Sequence, residues 1–164
     1  MSIENFVYLA RPVDRSGKHS GTIDRWMYHI RDAIIEYNRN AVIFDAGGGC
    51  YCFGNDSEIK TAVALRAVNE MILGSASFAV ILYLTFVPTV GVITEIDLCK
   101  KLGIPMVIIT DETPSFYILS MLNNNRQVVW VTEAKGGKNL QDEINADLLH
   151  CALNSATNQE EDDD

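Results

Sequence analysis

Phe78-Ala-Val-Ile-Leu-Tyr-Leu84 is the stretch that decides the fold of this chain. It lies within a longer run, from Met71 to Thr94, that contains no Asp, Glu, Lys or Arg. An apolar run with no polar face is typical of a strand that is buried on both sides of a parallel sheet. The sequence therefore predicts a central strand here, covered by helices on both faces.

Strand and helix patterns alternate along the rest of the chain. Further strands are predicted at Asn5–Ala10, Ala41–Asp45, Pro105–Thr110 and Gln127–Thr132. Helices are predicted from Thr22, as the N-cap, to Tyr37, from Asp56 or Ser57 to Leu73, and at Glu95–Leu102, Ser115–Leu122 and Leu140–Leu153. This alternation indicates an α/β fold, a doubly wound and mainly parallel sheet of five strands with helices on both faces.

The composition bounds the size and the partners of the fold. A chain of 164 residues with 48% hydrophobic content can bury one good core. We expect a single domain over residues 1–154 and an acidic, disordered tail over residues 155–164. The formal net charge of −9 includes five negative charges from Glu160 to Asp164, so about −4 remains for the rest of the chain. That balance disfavours a general nucleic-acid-binding surface.

Signals for secretion, membrane insertion and metal binding are weak. The N-terminus shows no charged-then-apolar leader, which predicts a cytoplasmic protein. Gly74, Pro88 and Gly91 divide the uncharged run, so a membrane span is disfavoured. The cysteines, beginning with Cys50-Tyr-Cys52, lack zinc spacings, and neither a Walker A loop nor a G-x-G-x-x-G motif occurs. A zinc site and a nucleotide-triphosphate enzyme are therefore disfavoured.

Glu95 is the first candidate for chemistry. It follows the uncharged run directly and opens the helical pattern that closes at Gly103-Ile-Pro105. A residue there lies beyond the carboxyl end of a buried strand, where ligands of open α/β sheets bind. In the first turn of a helix, the helix dipole would hold its carboxylate ionised. The alternative is an ordinary acidic residue that stabilises the helix terminus.

Basic residues crowd the N-terminal fifth of the chain. They are Arg11, Arg15, Lys18, Arg25 and Arg31. One interpretation is local capture of an anion by the loop from Arg11 to Gly21, and the other is a solvated loop and helix face.

Four segments, in this order, resemble the nucleoside 2-deoxyribosyltransferase superfamily: Tyr8-Leu-Ala10, Asn69 to Ser77, Thr89-Val-Gly-Val-Ile-Thr-Glu95 and Gly103-Ile-Pro105. The resemblance covers the chain from Val7 to Asn124 and is nearer the branch of 2'-deoxynucleoside 5'-phosphate N-hydrolases and CMP N-glycosidases. It implies a flavodoxin- or Rossmann-like sheet in the strand order 2-1-3-4-5, which the switch-point rule also favours.

The resemblance implies catalytic roles for Glu95, Tyr8 and Asn69. Glu95 matches the nucleophile that attacks the anomeric carbon and forms a covalent glycosyl-enzyme ester. Tyr8 matches the tyrosine whose hydroxyl orients that nucleophile. Asn69 and Ser77 stand where many members carry aspartates, and an asparagine cannot act as a general acid. Asp45, Asp56 and Asp97 are the alternatives, although Asp97 is expected to point away from Glu95 on the helix.

The resemblance also implies a substrate site. Thr89 stands where transferases of free nucleosides have an aspartate, and a hydroxyl favours a 5'-phosphate that an aspartate would repel. The residues expected to bind the substrate or its phosphate are Arg11, Arg15, Ser16, Gly17, Ser77, Thr89, Gly91, Ser120 and Met121. Those expected against the base are Asp45, Tyr51 and Phe53, although aromatic residues after a glycine run also close hydrophobic loops.

The segment Leu119-Ser-Met121 resembles one that family members insert into the active site of a neighbouring subunit, which predicts a homodimer or a higher homo-oligomer. The resulting hypothesis is an enzyme that cleaves the N-glycosidic bond of a (deoxy)nucleoside 5'-monophosphate and releases free base. The alternatives are a nucleoside 2-deoxyribosyltransferase that exchanges bases, and a catalytically silent nucleotide-binding or sensing module. In each case the partner is a small nucleotide or nucleoside, with no nucleic acid and no membrane, and the chemistry requires neither a metal nor an organic cofactor.

Overall fold

The computed structural model of the chain describes residues 5–13, 16–47, 58–87, 90–111 and 127–131, together with Ser120 and Asn154. Within these residues, five strands form one sheet: β1 (Phe6–Ala10), β2 (Val42–Asp45), β3 (Phe78–Tyr83), β4 (Met106–Thr110) and β5 (Gln127–Val131). Three long helices connect them: α1 (Ser20–Tyr37), α2 (Glu58–Leu73) and α3 (Val90–Leu102). The predicted α/β fold is confirmed.

The strands follow the order β2-β1-β3-β4-β5, and every neighbouring pair is parallel. The predicted order and the central position of β3 are therefore confirmed. From β1 the chain first moves outward to β2 and then crosses back to β3. The sheet thus changes its direction of winding between β1 and β3, and such a switch point is where open α/β sheets bind ligands.

The core consists of two layers, because successive side chains of a strand point to opposite faces. On one face, Val80 and Leu82 of β3 pack against α1. On the other face, Ala79 and Ile81 pack with the buried residues of α2 and α3. Both layers are apolar and closed to water, which explains why the sequence of β3 has no polar face.

The first residues of two helices differ from the prediction. Thr22 is not the N-cap of α1, since the helix begins at Ser20 with His19 in the cap position and no side-chain cap bond. Gly17, at a φ of 71°, makes the turn that starts the helix early, and Ser20 Oγ donates to Gly17 O at 2.8 Å. Likewise α3 begins at Val90 and not at Glu95, because its apolar spacing extends upstream of the first charged residue.

The predicted end of α3 is confirmed. Gly103 has a φ of 67°, Gly103 N donates to Lys100 O at 3.3 Å, and Ile104 N donates to Cys99 O at 2.9 Å. This is a Schellman cap, which needs the left-handed conformation that glycine adopts at little cost. Apart from Ser120 and Asn154, the two helices predicted beyond residue 111 lie outside the described residues, as does the acidic tail. None of the helices that the structure describes combines the length and the apolar character of a membrane span.

Candidate active site

Glu95 and Tyr8 form the centre of the candidate site. Tyr8 lies in the middle of β1 and pairs with Ala79 of β3, so it stands at the switch point of the sheet. Its hydroxyl donates a hydrogen bond of 2.6 Å to Glu95 Oε1 on α3. The two side chains that the resemblance paired are thus in direct contact, although they are distant in sequence. Their catalytic roles stay a prediction.

Burial dominates the charge state of Glu95. Desolvation raises the pKa of its carboxyl from 4.5 to about 7, and the hydrogen bond from Tyr8 acts in the opposite direction. The expectation that the helix dipole holds this carboxylate ionised is wrong. Glu95 lies in the second turn of α3, whose first turn contains no acidic residue, and the dipole effect is confined to the terminal turn. The carboxyl therefore titrates near neutral pH, well above the usual range of a glutamate.

Glu95 opens into a cleft between α2 and α3. The cleft has a volume of about 280 Å³, close to the lower end of the range for small-molecule sites, roughly 300 Å³. Its lining consists of Arg66, Asn69, Glu70 and Leu73 from α2 with Gly91, Thr94, Glu95 and Leu98 from α3. Leu73 and Leu98 contribute apolar side chains, while Arg66, Asn69, Glu70, Thr94 and Glu95 contribute the polar groups that would decide what binds.

Asn69 is the polar group of the cleft with an unmet hydrogen-bonding need. Its Oδ1 atom is buried and has no hydrogen-bond partner among the residues that the structure describes. Leaving such an acceptor unsatisfied costs roughly 1–3 kcal/mol, so a donor from a ligand or from water is favoured there. The structure therefore brings Asn69 into the same cleft as Glu95, as an acceptor. Its side-chain amide has no proton to give as an acid.

Arg11 and Asp45 are engaged with each other and with further side chains. Arg11 Nη1 donates to Asp24 Oδ1 at 2.9 Å, and Arg11 Nε lies 3.3 Å from Asp45 Oδ1. Asp45 also accepts from Arg31 and from the backbone N–H of Gly47. The Arg11 and Asp45 side chains are only 15% and 8% exposed. Arg11 and Asp45 thus have structural partners, and neither residue lines the cleft between α2 and α3.

The other predicted substrate residues divide between the cleft and distant positions. Gly91 lines the cleft. Ser77 lies before β3, at the amino edge of the sheet, where its hydroxyl donates to Phe6 O at 2.8 Å. Ser16 Oγ accepts from Lys18 N at 3.2 Å in the turn before α1, next to Gly17, and Ser120 is exposed. The predicted residues that lie outside the described part of the chain are Arg15, Tyr51, Phe53, Asp56, Thr89 and Met121.

Two charged residues of the cleft were missed from the sequence. Arg66 and Glu70 both line the cleft, and Arg66 Nε donates to Glu70 Oε1 at 2.8 Å. The signal was helical spacing, since Arg66 lies three residues before Asn69 and four before Glu70 on one helix. A prediction that places Asn69 on a helix facing the site therefore also places Arg66 and Glu70 on or beside that face.

Two further groups near Glu95 take no part in the cleft. Asp97 points away from Glu95, as predicted, and its Oδ2 lies 2.5 Å from Lys101 Nζ. Cys99 is a buried thiol whose pKa is raised by burial and by the charge of Glu95, so it is a poor nucleophile. Among the described residues no cluster of three or more His, Cys, Asp or Glu side chains is placed to hold a metal ion.

Comparison with known proteins identifies this fold in solved structures. A 2-deoxyribosyltransferase from Bacillus psychrosaccharolyticus superposes with a TM-score of 0.57 at 13% identity, over 82% of this chain and 95% of that chain. A conserved protein from Enterococcus faecalis V583 gives a TM-score of 0.56 at 14% identity, over 85% and 96%. The CMP N-glycosidase BcmB from Clostridium botulinum gives 0.51 at 12% identity, over 84% and 96%.

No protein-family model matches the sequence, and no curated protein matches it either. The structural neighbours include a 2-deoxyribosyltransferase and a CMP N-glycosidase, the two groups that the sequence resembles. At identities of 12–14% these likenesses show a shared fold.

Proposed function

We propose that this protein cleaves the N-glycosidic bond of a (deoxy)nucleoside 5'-monophosphate, with Glu95 as the nucleophile and free base as the product. The observation that carries the proposal is the hydrogen bond of 2.6 Å from Tyr8 to Glu95, a residue that lines the cleft. Glu95 is a partly buried carboxyl with a raised pKa, and its partner Tyr8 lies at the switch point of the sheet, where open α/β sheets bind ligands. Neighbours of the same fold that act on nucleosides or nucleotides add support.

The geometry suggests how the two oxygens of Glu95 divide the work. Tyr8 donates to Oε1 and fixes the orientation of the carboxyl group, which leaves Oε2 to attack the anomeric carbon. As the new C–O bond forms, the C–N bond breaks and the base leaves with its electron pair. Water then hydrolyses the glycosyl ester and restores the carboxylate of Glu95, giving the sugar phosphate. The ionised form of Glu95 is the reactive one.

Asn69 forms hydrogen bonds to the leaving base or to the sugar but does not protonate the base. Its buried Oδ1 accepts a hydrogen bond, and its amide N–H groups donate. It therefore suits a base or a sugar hydroxyl that presents a donor to the cleft. The proton that the departing base requires comes from water, since neither Asn69 nor the ion-paired Glu70 is suited to supply it.

The remaining predicted contacts belong to the same proposal. Thr89 and Arg15 would hold the phosphate with Gly91, and Tyr51 with Phe53 would stack on the base. Ser120 and Met121 would complete the site of a partner subunit in a homodimer. Sedimentation tests this assembly, and a fully active monomer would contradict it.

Two other functions compete with hydrolysis. A nucleoside 2-deoxyribosyltransferase, the activity named for one structural neighbour, would resolve the ester with a second base in place of water. A nucleotide-binding module without turnover is favoured by Asn69, because the cleft lacks an acid at that position. Mixing the protein with nucleosides and their 5'-monophosphates, with and without an acceptor base, separates the three. Release of free base alone supports hydrolysis, base exchange supports transfer, and tight binding without either supports the module.

A further inference from the structure

Arg66 and Glu70 form an ion pair on the wall of the cleft between α2 and α3. Arg66 Nε lies 2.8 Å from Glu70 Oε1, and the two side chains are 69% and 41% exposed. Exposed pairs of this spacing contribute little stability, because water solvates both partners well. Either side chain can therefore leave the other readily for another group of suitable charge.

Arg66 stands level with the reactive end of α3. Both α2 and α3 run antiparallel to the strands, and their far ends meet where a Cβ on Gly74 would lie 3.8 Å from Leu102 Cδ1. Measured from that contact, at about 1.5 Å per residue, Arg66 lies about 12 Å and Glu95 about 10 Å along the helices. Gly91, at about 16 Å, lies beyond both, nearer the carboxyl edge of the sheet. Arg66 thus faces the segment between Glu95 and Gly91.

The charges of the cleft make Arg66 decisive for an anionic ligand. Among the described lining residues Arg66 is the only cation, while Glu70 and Glu95 are both acidic. An anion that enters this cleft meets two carboxyl groups, so it needs a cation to offset them. Arg11, one of the two arginines that the sequence suggested for this role, is compensated by Asp24 and Asp45.

We propose that Arg66 selects the anionic substrate by exchanging Glu70 for the phosphate of the ligand. This inference rests on the proposed function for the identity of the ligand. A guanidinium group binds phosphate oxygens through paired N–H donors, and charge-assisted bonds of this kind are stronger than neutral ones. Glu70 then acts as an internal competitor that holds Arg66 in place and disfavours its binding of weak anions.

The experiment compares each nucleoside 5'-monophosphate with its parent nucleoside. Calorimetry on protein carrying Glu95→Gln, which binds without turnover, measures both dissociation constants for the common ribo- and deoxyribonucleotides, and the tightest pair is used. Arg66→Gln is expected to reduce the preference for the monophosphate about tenfold. Glu70→Gln is expected to increase it. Lys101→Gln breaks an equivalent pair on α3, outside the cleft, and is expected to leave the preference unchanged.

The outcomes separate this inference from the proposed function. An unchanged preference in Arg66→Gln, equal weakening of both ligands, or no preference in the parent protein would overturn the role of Arg66. Base release from monophosphates together with an unchanged preference would leave the proposed function standing and remove this inference. Selective monophosphate binding that depends on Arg66, in a protein that never releases base, would support the inference and remove the proposed function.

Discussion

Glu95→Gln is expected to abolish base release and, at the same time, to stabilise the protein above neutral pH. The glutamine keeps the size of the side chain and an oxygen that accepts from Tyr8, but it carries no charge. Base release is expected to fall by orders of magnitude, because the amide is not a nucleophile at carbon. The stability gain follows from the cost of burying the ionised carboxylate.

The sign and the size of this gain follow from the pKa of Glu95. Burial raises it from 4.5 to about 7, so between these values the folded protein binds more protons than the unfolded chain. The free energy of unfolding therefore falls as the pH rises through this window. The total loss is about 3 kcal/mol, because each unit of pKa shift corresponds to roughly 1.36 kcal/mol. The glutamine variant has no such loss. About 2 kcal/mol of the difference develops between pH 5.5 and pH 8.

Urea unfolding of both proteins at pH 5.5 and pH 8 measures this difference. We expect the free energy of unfolding of the variant, relative to that of the parent protein, to be about 2 kcal/mol higher at pH 8 than at pH 5.5. Asp97→Asn removes an exposed carboxylate from the same helix and serves as the control, with a smaller expected change. The same stability difference at both pH values would refute the burial argument. Near-normal base release by the variant would refute the assignment of the nucleophile.

Three further substitutions test two neighbours of Glu95 and the ion pairs of Asp45. Tyr8→Phe removes the hydrogen bond that lowers the pKa of Glu95, so the acid limb of the pH profile of kcat/KM should move to higher pH, with roughly tenfold less activity at pH 7. Asn69→Asp adds a like charge to the cleft and should also raise the pKa of Glu95; an unaltered pH profile would show that the two groups do not interact. Asp45→Asn leaves two arginines without their shared carboxylate, and we expect a loss of about 2 kcal/mol in urea unfolding, whereas an unchanged midpoint would show that the pairs add no stability.

The fold followed from the sequence because its decisive features are local. The apolar run of β3 has no face to show water, and turn residues separate alternating strand and helix patterns on either side of it. The start of α3 was less predictable, since Val90 to Thr94 carries no charged residue to distinguish a helix turn from a loop. The start of α1 depends on the conformation of Gly17, which the sequence permits but does not require.

The site was only partly predictable, because its contacts join distant elements. The resemblance paired Tyr8 with Glu95, and the structure places them in contact. The pairing of Arg11 with Asp45 depends on how the ends of β1 and β2 meet beside α1, and no local pattern encodes that meeting. A loop rich in basic residues therefore suggested an anion site, while the fold compensates Arg11 with carboxylates from two other elements.

The neutral side chain at Asn69 and the ionisation of Glu95 belong to one electrostatic arrangement. Burial, partly offset by the hydrogen bond from Tyr8, brings the pKa of Glu95 to about 7. An aspartate at position 69, in the same cleft, would repel the carboxylate and raise that pKa further, so less of Glu95 would be ionised at neutral pH. An asparagine removes this repulsion and also removes a proton donor. Under the proposed function, the chain thus keeps a carboxylate that can act as nucleophile but loses acid assistance, and the solvent would supply the proton that the leaving base requires.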